Sequence, residues 1–129
     1  MTGREAEIIA YKIVKTSDLA SAVNGKVSRR PRPDNSRKED IIVRLLAEGS
    51  ISQVQDCFVN VNIYVPYNSA INEEDGARVD RLASVAFDSL KEIIVSSENI
   101  LVKLDKQTIS DLSDISHTLI TNRLLIRKI

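Results

Sequence analysis

The chain has 129 residues, with eighteen lysines and arginines against eighteen aspartates and glutamates, so its formal net charge at pH 7 is zero. Hydrophobic residues make up 43% and charged residues 28%, an ordinary globular balance that excludes general disorder and suits a single domain over residues 1–129. Zero net charge removes the broad electrostatic argument for a nucleic-acid or membrane-surface protein, and a single cysteine excludes a disulfide within the chain.

The first 25 residues are predicted to form two helical pieces. Thr2 and Glu5 have the spacing of a capping box, and behind them apolar residues recur at helical spacing, namely Ala6, Ile9, Ala10 and Ile13. Ser17-Asp18 offers a second N-cap for a short helix. Asn24-Gly25 ends that helix, and Gly25 is expected in a left-handed C-terminal position.

A basic segment that contains prolines comes next. Its prolines prevent a helix and remove sheet donors, so residues 29–38 are predicted to be an exposed loop or arm. Apart from Asp34, its charges are all positive: Arg29, Arg30, Arg32, Arg37 and Lys38. Such an arm can bind phosphates or an acidic protein surface, or it can simply be a solvated loop. The zero net charge favours a protein partner over nucleic acid.

Two strands are predicted in the middle of the chain. The first covers Glu39–Ala47 and is followed by a turn at Glu48-Gly49-Ser50. The second, Cys57–Val65, alternates strictly between apolar residues and a mixed polar face that carries Asn60, Asn62 and Tyr64. Asparagine is a poor strand residue, so this face is expected to meet water or a polar partner. Cys57 lies on the apolar face and is expected to be buried.

The C-terminal half is predicted to contain one helix and two strands. Asn72 caps the helix, which runs over Glu73–Ile94 with Glu73, Glu74 and Asp75 in its first turn. A strand at Ile100–Leu104, a loop over residues 110–116 and a last strand at Thr118–Lys128 follow. This order predicts an α+β fold with an antiparallel sheet of four to five strands and two main helices packed on one face.

The sequence offers no recognisable set of catalytic, cofactor-binding or metal-binding residues, so we expect no enzyme and no cofactor. His117 is the only histidine and is expected at the rim of the fold. Two alternatives stay open: a small regulatory or chaperone-like binding module, and a small nucleic-acid-binding protein or Mg²⁺-dependent nuclease. The second of these would use the basic arm, with scattered acids such as Asp40, Asp56 and Asp111 holding the metal.

The order of elements resembles the tail-terminator, or tail-completion, family of tailed phages and prophages. The resemblance is carried by Ser17-Asp18-Leu19, by Asn24-Gly25-Lys26-Val27 before a proline loop, and by the strand–helix–strands order that follows. It implies an α+β fold and assembly into a homo-oligomeric ring, a hexamer in this family. The ring caps the tail tube and binds tail-tube and head-completion proteins. It also implies a location in the bacterial cytoplasm and then in the virion tail. The sequence has no apolar stretch long enough for a membrane span, so we expect no membrane, and its zero net charge disfavours a nucleic-acid partner.

The charges are distributed unevenly along the chain. Basic residues cluster over 26–38, and acidic residues over 73–75 and 105–114. Opposite patches on one chain favour self-association. The candidate contact residues are therefore those of the arm, the polar strand face and the acidic helix start: Arg29, Arg30, Arg32, Arg37, Lys38, Asn60, Asn62, Tyr64, Glu73, Glu74 and Asp75.

Overall fold

A computed structural model describes residues 1–48 and 56–129. These residues form three α-helices, α1 (Gly3–Lys15), α2 (Asp18–Ala22) and α3 (Gly76–Leu90). Their strands are β1 (Val27–Ser28), β2 (Ile41–Glu48), β3 (Asp56–Pro66), β4 (Glu92–Val95), β5 (Ile100–Leu112) and β6 (His117–Lys128). Single 3₁₀ turns at Ser96–Glu98 and Ser113–Ile115 precede β5 and β6. The turn predicted at Glu48-Gly49-Ser50 lies largely outside the described residues.

The described strands form one sheet in the order β1-β2-β3-β6-β5-β4. Every neighbouring pair is antiparallel except β1 and β2, which are parallel. The predicted α+β class is confirmed, but the expected four to five antiparallel strands are not the whole sheet. The two extra strands are short edge strands of two and four residues, which leave little periodic signal in the sequence.

The helix predicted over Glu73–Ile94 is shorter at both ends. Its N-cap is Asp75, whose carboxylate accepts the Arg78 N–H at 3.2 Å, so the predicted cap at Asn72 is wrong. Asn72 instead has a left-handed backbone (φ 52°), and its N–H donates to the Asn68 carbonyl. At the other end α3 stops at Leu90, and the next apolar residues belong to β4.

The structure corrects two further predictions, the loop over residues 110–116 and the left-handed conformation of Gly25. The predicted loop over residues 110–116 is partly strand, because β5 continues to Leu112 and pairs there with His117. Gly25 does not have a positive φ. A Cβ at Gly25 would collide with the Glu39 backbone and the Asp40 carboxylate, so the glycine is required for close approach of two backbones.

The core lies between the helices and one face of the sheet. Capping by Thr2 and Glu5 is confirmed at the start of α1, which buries Ala6, Ala10 and Val14. Together with the apolar stripe of α3 and the inward residues of β2, β3 and β6, they form one cluster of buried side chains. Cys57 is fully buried in this cluster, as predicted. No described helix packs on the opposite face of the sheet.

Candidate partner interface

The side of the sheet that no described helix covers, which we call the outer face, carries alternate residues of its four long strands. Most side chains at the centre of this side are at most partly exposed, because neighbouring strands shield one another, and Arg44 is exposed. The central residues of the outer face mix apolar, amide and basic groups: Ile42, Arg44, Phe58, Asn60, Asn62, Tyr64, Leu119, Thr121, Arg123 and Leu125. A sheet face with this mixture resembles the surfaces that bind other proteins.

Two amides at the centre of the outer face are unsatisfied. The Oδ1 atoms of Asn60 and Asn62 are buried, and neither accepts a hydrogen bond from another described residue. Cross-strand pairing places Asn62 between Ile42 and Thr121. Buried polar atoms are nearly always hydrogen-bonded in native proteins, so these two oxygens are an unusual feature of this face. The oxygens themselves are inaccessible, but the two side chains are partly exposed and can meet a partner through their other atoms. The polar partner predicted for Asn60 and Asn62 remains consistent with their position.

Two ion pairs, Arg123–Asp105 and Arg127–Asp56, contribute charge to the surface of the sheet. The Arg123 guanidinium lies 5.4 Å from the centroid of the Phe58 ring and donates to the Asp105 carboxylate at 2.8 Å. At the end of the sheet Arg127 makes a two-point contact with Asp56, at 2.8 and 3.1 Å. Both pairs are substantially exposed, so they contribute little to stability and serve mainly to shape the surface charge.

The basic arm is not wholly free, because Arg32 folds back onto the sheet. Its Nε donates to Asp40 at 2.9 Å, and its Nη2 donates to the carbonyl of Lys38 at 2.8 Å and contacts His117 Nε2 at 3.0 Å. The guanidinium also lies 4.8 Å from the centroid of the Tyr64 ring. Arg32 therefore anchors the arm, and the expectation that it is an exposed contact residue is wrong because its side chain is only 11% exposed.

His117 is part of this anchor rather than a rim residue. It is 2% exposed, and its Nδ1 lies 2.6 Å from the Ile115 carbonyl, which makes Nδ1 the donor and leaves Nε2 to accept from Arg32. Burial lowers the pKa of His117, and the charges of Arg32 and Arg37 lower it further. The expected rim position is thus wrong, because the arm covers the ring.

Two buried acids hold the arm and the helices together, and neither was predicted from the sequence. Burial alone would raise the pKa of Asp40, but hydrogen bonds from Ser36, the Lys26 N–H and Arg32 outweigh it, so the pKa lies below its usual value. Glu39 receives two bonds from Arg78, at 2.6 and 2.7 Å, which raise the pKa of that arginine. The only available signal was an adjacent acidic pair at the start of a strand.

The remaining arm residues divide into paired and free groups. Arg29 donates to Glu7 of α1 at 2.9 Å, and the other oxygen of Glu7 accepts the Leu45 N–H at 2.8 Å. The side chains of the other three predicted contact residues are exposed, and none forms an ion pair with a described residue: Arg30, Arg37 and Lys38.

The acidic residues before α3 are not a single patch. Glu73 pairs through its backbone with Asn68 in an isolated bridge, Glu74 is exposed, and Asp75 is the helix cap. Nearby, the Tyr67 hydroxyl donates to Asp111, which raises the pKa of Tyr67 to about 12, with a smaller contribution from Glu74. No ion pair joins Glu73, Glu74 or Asp75 to the basic arm among the described residues, although Arg37 of the arm and Asn72 line the same cavity.

Two features are absent from residues 1–48 and 56–129. No three His, Cys, Asp or Glu side chains in these ranges lie close enough to share a metal ion. No helix in them is long and apolar enough to cross a membrane. Comparison of the sequence with known protein families found no matching family model, and comparison with curated proteins found no match.

Proposed function

We propose that the chain is a structural assembly protein whose outer face binds protein, and that it acts as a ring-forming tail terminator of a phage or prophage. The partly exposed mixture of apolar, amide and basic side chains at the centre of that face, which includes Asn60 and Asn62, is the observation on which the proposal depends. The order of elements resembles that of the tail-terminator family, and this resemblance is the reason for proposing ring formation and a role in the phage tail. In this proposal the chain caps the tail tube and joins it to the head, with no catalytic role.

The physical support is the contrast between the two faces of one sheet. The helix-covered face carries the buried core, whereas the outer face carries Phe58 and Leu125 beside the partly exposed amides of Asn60 and Asn62. Covering such a face with a complementary protein surface buries the apolar side chains and gives the exposed parts of the amides hydrogen-bonding partners. Water alone would give the exposed parts of the amides hydrogen-bonding partners but would leave the apolar side chains exposed.

The charge of the arm supports a protein partner as well. Two of its five predicted contact cations, Arg29 and Arg32, are already neutralised by Glu7 and Asp40. Only three of the predicted contact cations of the arm are left without an ion pair to a described residue, and the chain carries equal numbers of acidic and basic residues. In our proposal Arg30, Arg37 and Lys38 bind an acidic patch on a neighbouring subunit or on a tail-tube or head-completion protein.

The test uses the protein in its own host. Deletion of the gene is expected to give virions whose tails are not joined to heads, as seen by electron microscopy. The substitution Asn62→Lys places an unpaired cation on the outer face and is expected to reproduce that defect. Ser21→Lys, at an exposed position of α2, is the matched control and is expected to leave the tails normal.

Folding is checked separately by the thermal unfolding of each purified variant. Normal, head-joined tails after deletion would refute the tail role. A deletion defect together with a folded, fully functional Asn62→Lys variant would refute the role of the outer face and leave the tail role standing.

A further inference from the structure

The two long edges of the sheet are treated differently by the chain. At one edge β1 covers Ile41 and Ile42, and beyond it the Leu45 N–H is occupied by the Glu7 carboxylate that Arg29 holds. A charged side chain over an unpaired strand is a common way to block pairing with another chain. The β2 edge is therefore closed.

At the opposite edge most of β5 is open. β4 covers only the first part of it, residues 100–103, and the Leu104 N–H donates to the Lys91 carbonyl at 3.1 Å. From Lys106 to Leu112 the strand pairs with β6 on one side. On its other side no described strand or backbone group is bonded to it.

The direction of the free backbone groups follows from the geometry of an antiparallel strand, in which all residues on one face direct N–H and C=O to the same side. Leu104 faces the helices and points its N–H away from β6. After the bulge between Leu104 and Lys106, the helix-facing residues are Gln107, Ile109 and Asp111. These three residues present an unpaired ladder at the open edge.

We propose that this open edge of β5 binds the same edge of a second copy of the chain. The outermost strands β1 and β4 are only two and four residues long, so residues 106–112 are the longest open run of edge that a second copy can offer. Two identical edges then meet around a two-fold axis perpendicular to the sheet, which makes the strands antiparallel. The described edges therefore select an isologous dimer.

The residues of the edge also select the register. With the axis at Ile109, the two Ile109 side chains meet, Gln107 faces Asp111 of the other copy, and Thr108 faces Ser110. With the axis at Thr108, Asp105 would face Asp111, a like-charge pair, and the pairing would extend to Leu104, whose N–H is already bonded. The Ile109 side chain is 50% exposed in one chain, and the first register buries it.

This contact is distinct from the outer face and does not depend on the tail function. A pairing of seven residues a side is a small interface, so we expect a weak dimer, populated at about 100 µM and dissociated by dilution. The substitution Ile109→Lys puts two ammonium groups at the axis and is expected to give a monomer at the same concentration. Ile71→Lys, at a loop position that is 58% exposed, is the matched control and should leave the dimer intact.

A disulfide tests the register. Thr108 and Ser110 of the two copies form a non-hydrogen-bonded pair with Cα atoms about 4.5 Å apart, within disulfide range. The double variant Thr108→Cys with Ser110→Cys is expected to become a covalent dimer on mild oxidation, and Thr108→Cys alone is not. The native Cys57 is fully buried, so it is not expected to link two copies. The wild-type chain, oxidised in the same way, is therefore the control and should give no covalent dimer.

Light scattering decides the proposal. A wild-type dimer that Ile109→Lys dissociates and Asn62→Lys leaves intact supports it. A wild-type chain that stays monomeric at about 1 mM overturns it, as does a dimer that persists in Ile109→Lys. A covalent dimer from Thr108→Cys alone overturns the register centred on Ile109.

Discussion

Arg78→Ala is the substitution whose cost the structure predicts most sharply. The Arg78 guanidinium is the charged partner of Glu39, whose side chain is only 8% exposed, and it also donates to the Ala22 carbonyl. Among the described residues, removing it leaves the buried carboxylate with one remaining donor, the Asn24 N–H at 3.2 Å. Breaking a buried pair in this way costs about 3–5 kcal/mol, because the remaining charge is uncompensated.

The chain contains a matched control for this effect. Arg127 makes the same two-point contact with Asp56, but the two side chains are 50% and 40% exposed. Water can solvate Asp56 when Arg127 is removed, so Arg127→Ala is expected to cost about 1 kcal/mol or less. The two substitutions remove the same chemical group and differ mainly in the burial of the carboxylate that is left.

Urea unfolding followed by circular dichroism measures both costs. With a denaturant slope near 2 kcal/mol/M, Arg78→Ala should lower the midpoint by about 2 M, and Arg127→Ala by about 0.5 M or less. The double variant Arg78→Met with Glu39→Leu should be more stable than Arg78→Ala, since it leaves no buried charge. Equal losses for the two single variants would refute the argument from burial.

Two other positions give predictions of a different kind. Gly25→Ala is expected to lower the free energy of unfolding by about 1–3 kcal/mol, because the new methyl meets the Glu39 backbone, which cannot move aside; an unchanged thermal midpoint would contradict this. His117 has a folded-state pKa below its ordinary value of 6.5, so the unfolded chain takes up a proton first as the pH falls. Stability should therefore fall as the pH drops below about 6.5 towards the folded-state pKa, and the loss of melting temperature from about pH 7 to about pH 5.5 should be smaller in His117→Asn. Identical slopes in the two proteins would contradict the buried neutral imidazole.

The parts of the fold that the sequence predicted are those with a strong local period. β3 alternates without exception, and α1 combines a capping box with a stripe of small apolar residues, so both were located within a residue or two. The end of α3 was missed because Leu90, Ile93 and Ile94 have helical spacing by coincidence, although the last two lie in β4. Local spacing cannot distinguish those two outcomes.

β5 and the arm were missed for a different reason. The second half of β5 lies at an open edge, so its exposed side chains include serine, lysine and aspartate, as in a loop. Arg32 and His117 are 85 residues apart, and their contact depends on how the arm crosses the end of β3. Partners so distant in sequence carry no mutual signal, so the sequence identified the arm and the asparagine face and left the buried anchor undetected.

The burial of the outer face in the assembled particle is the most direct test of the proposed function. Hydroxyl-radical footprinting, read by mass spectrometry, compares the assembled form with the dissociated chain. Phe58 and Leu125 report on the outer face, and Phe87 of α3, which is 51% exposed, reports on the helical side. Strong protection of Phe58 and Leu125 with unchanged labelling of Phe87 is the predicted result. Protection of Phe87 with unchanged labelling of Phe58 and Leu125 would contradict the account.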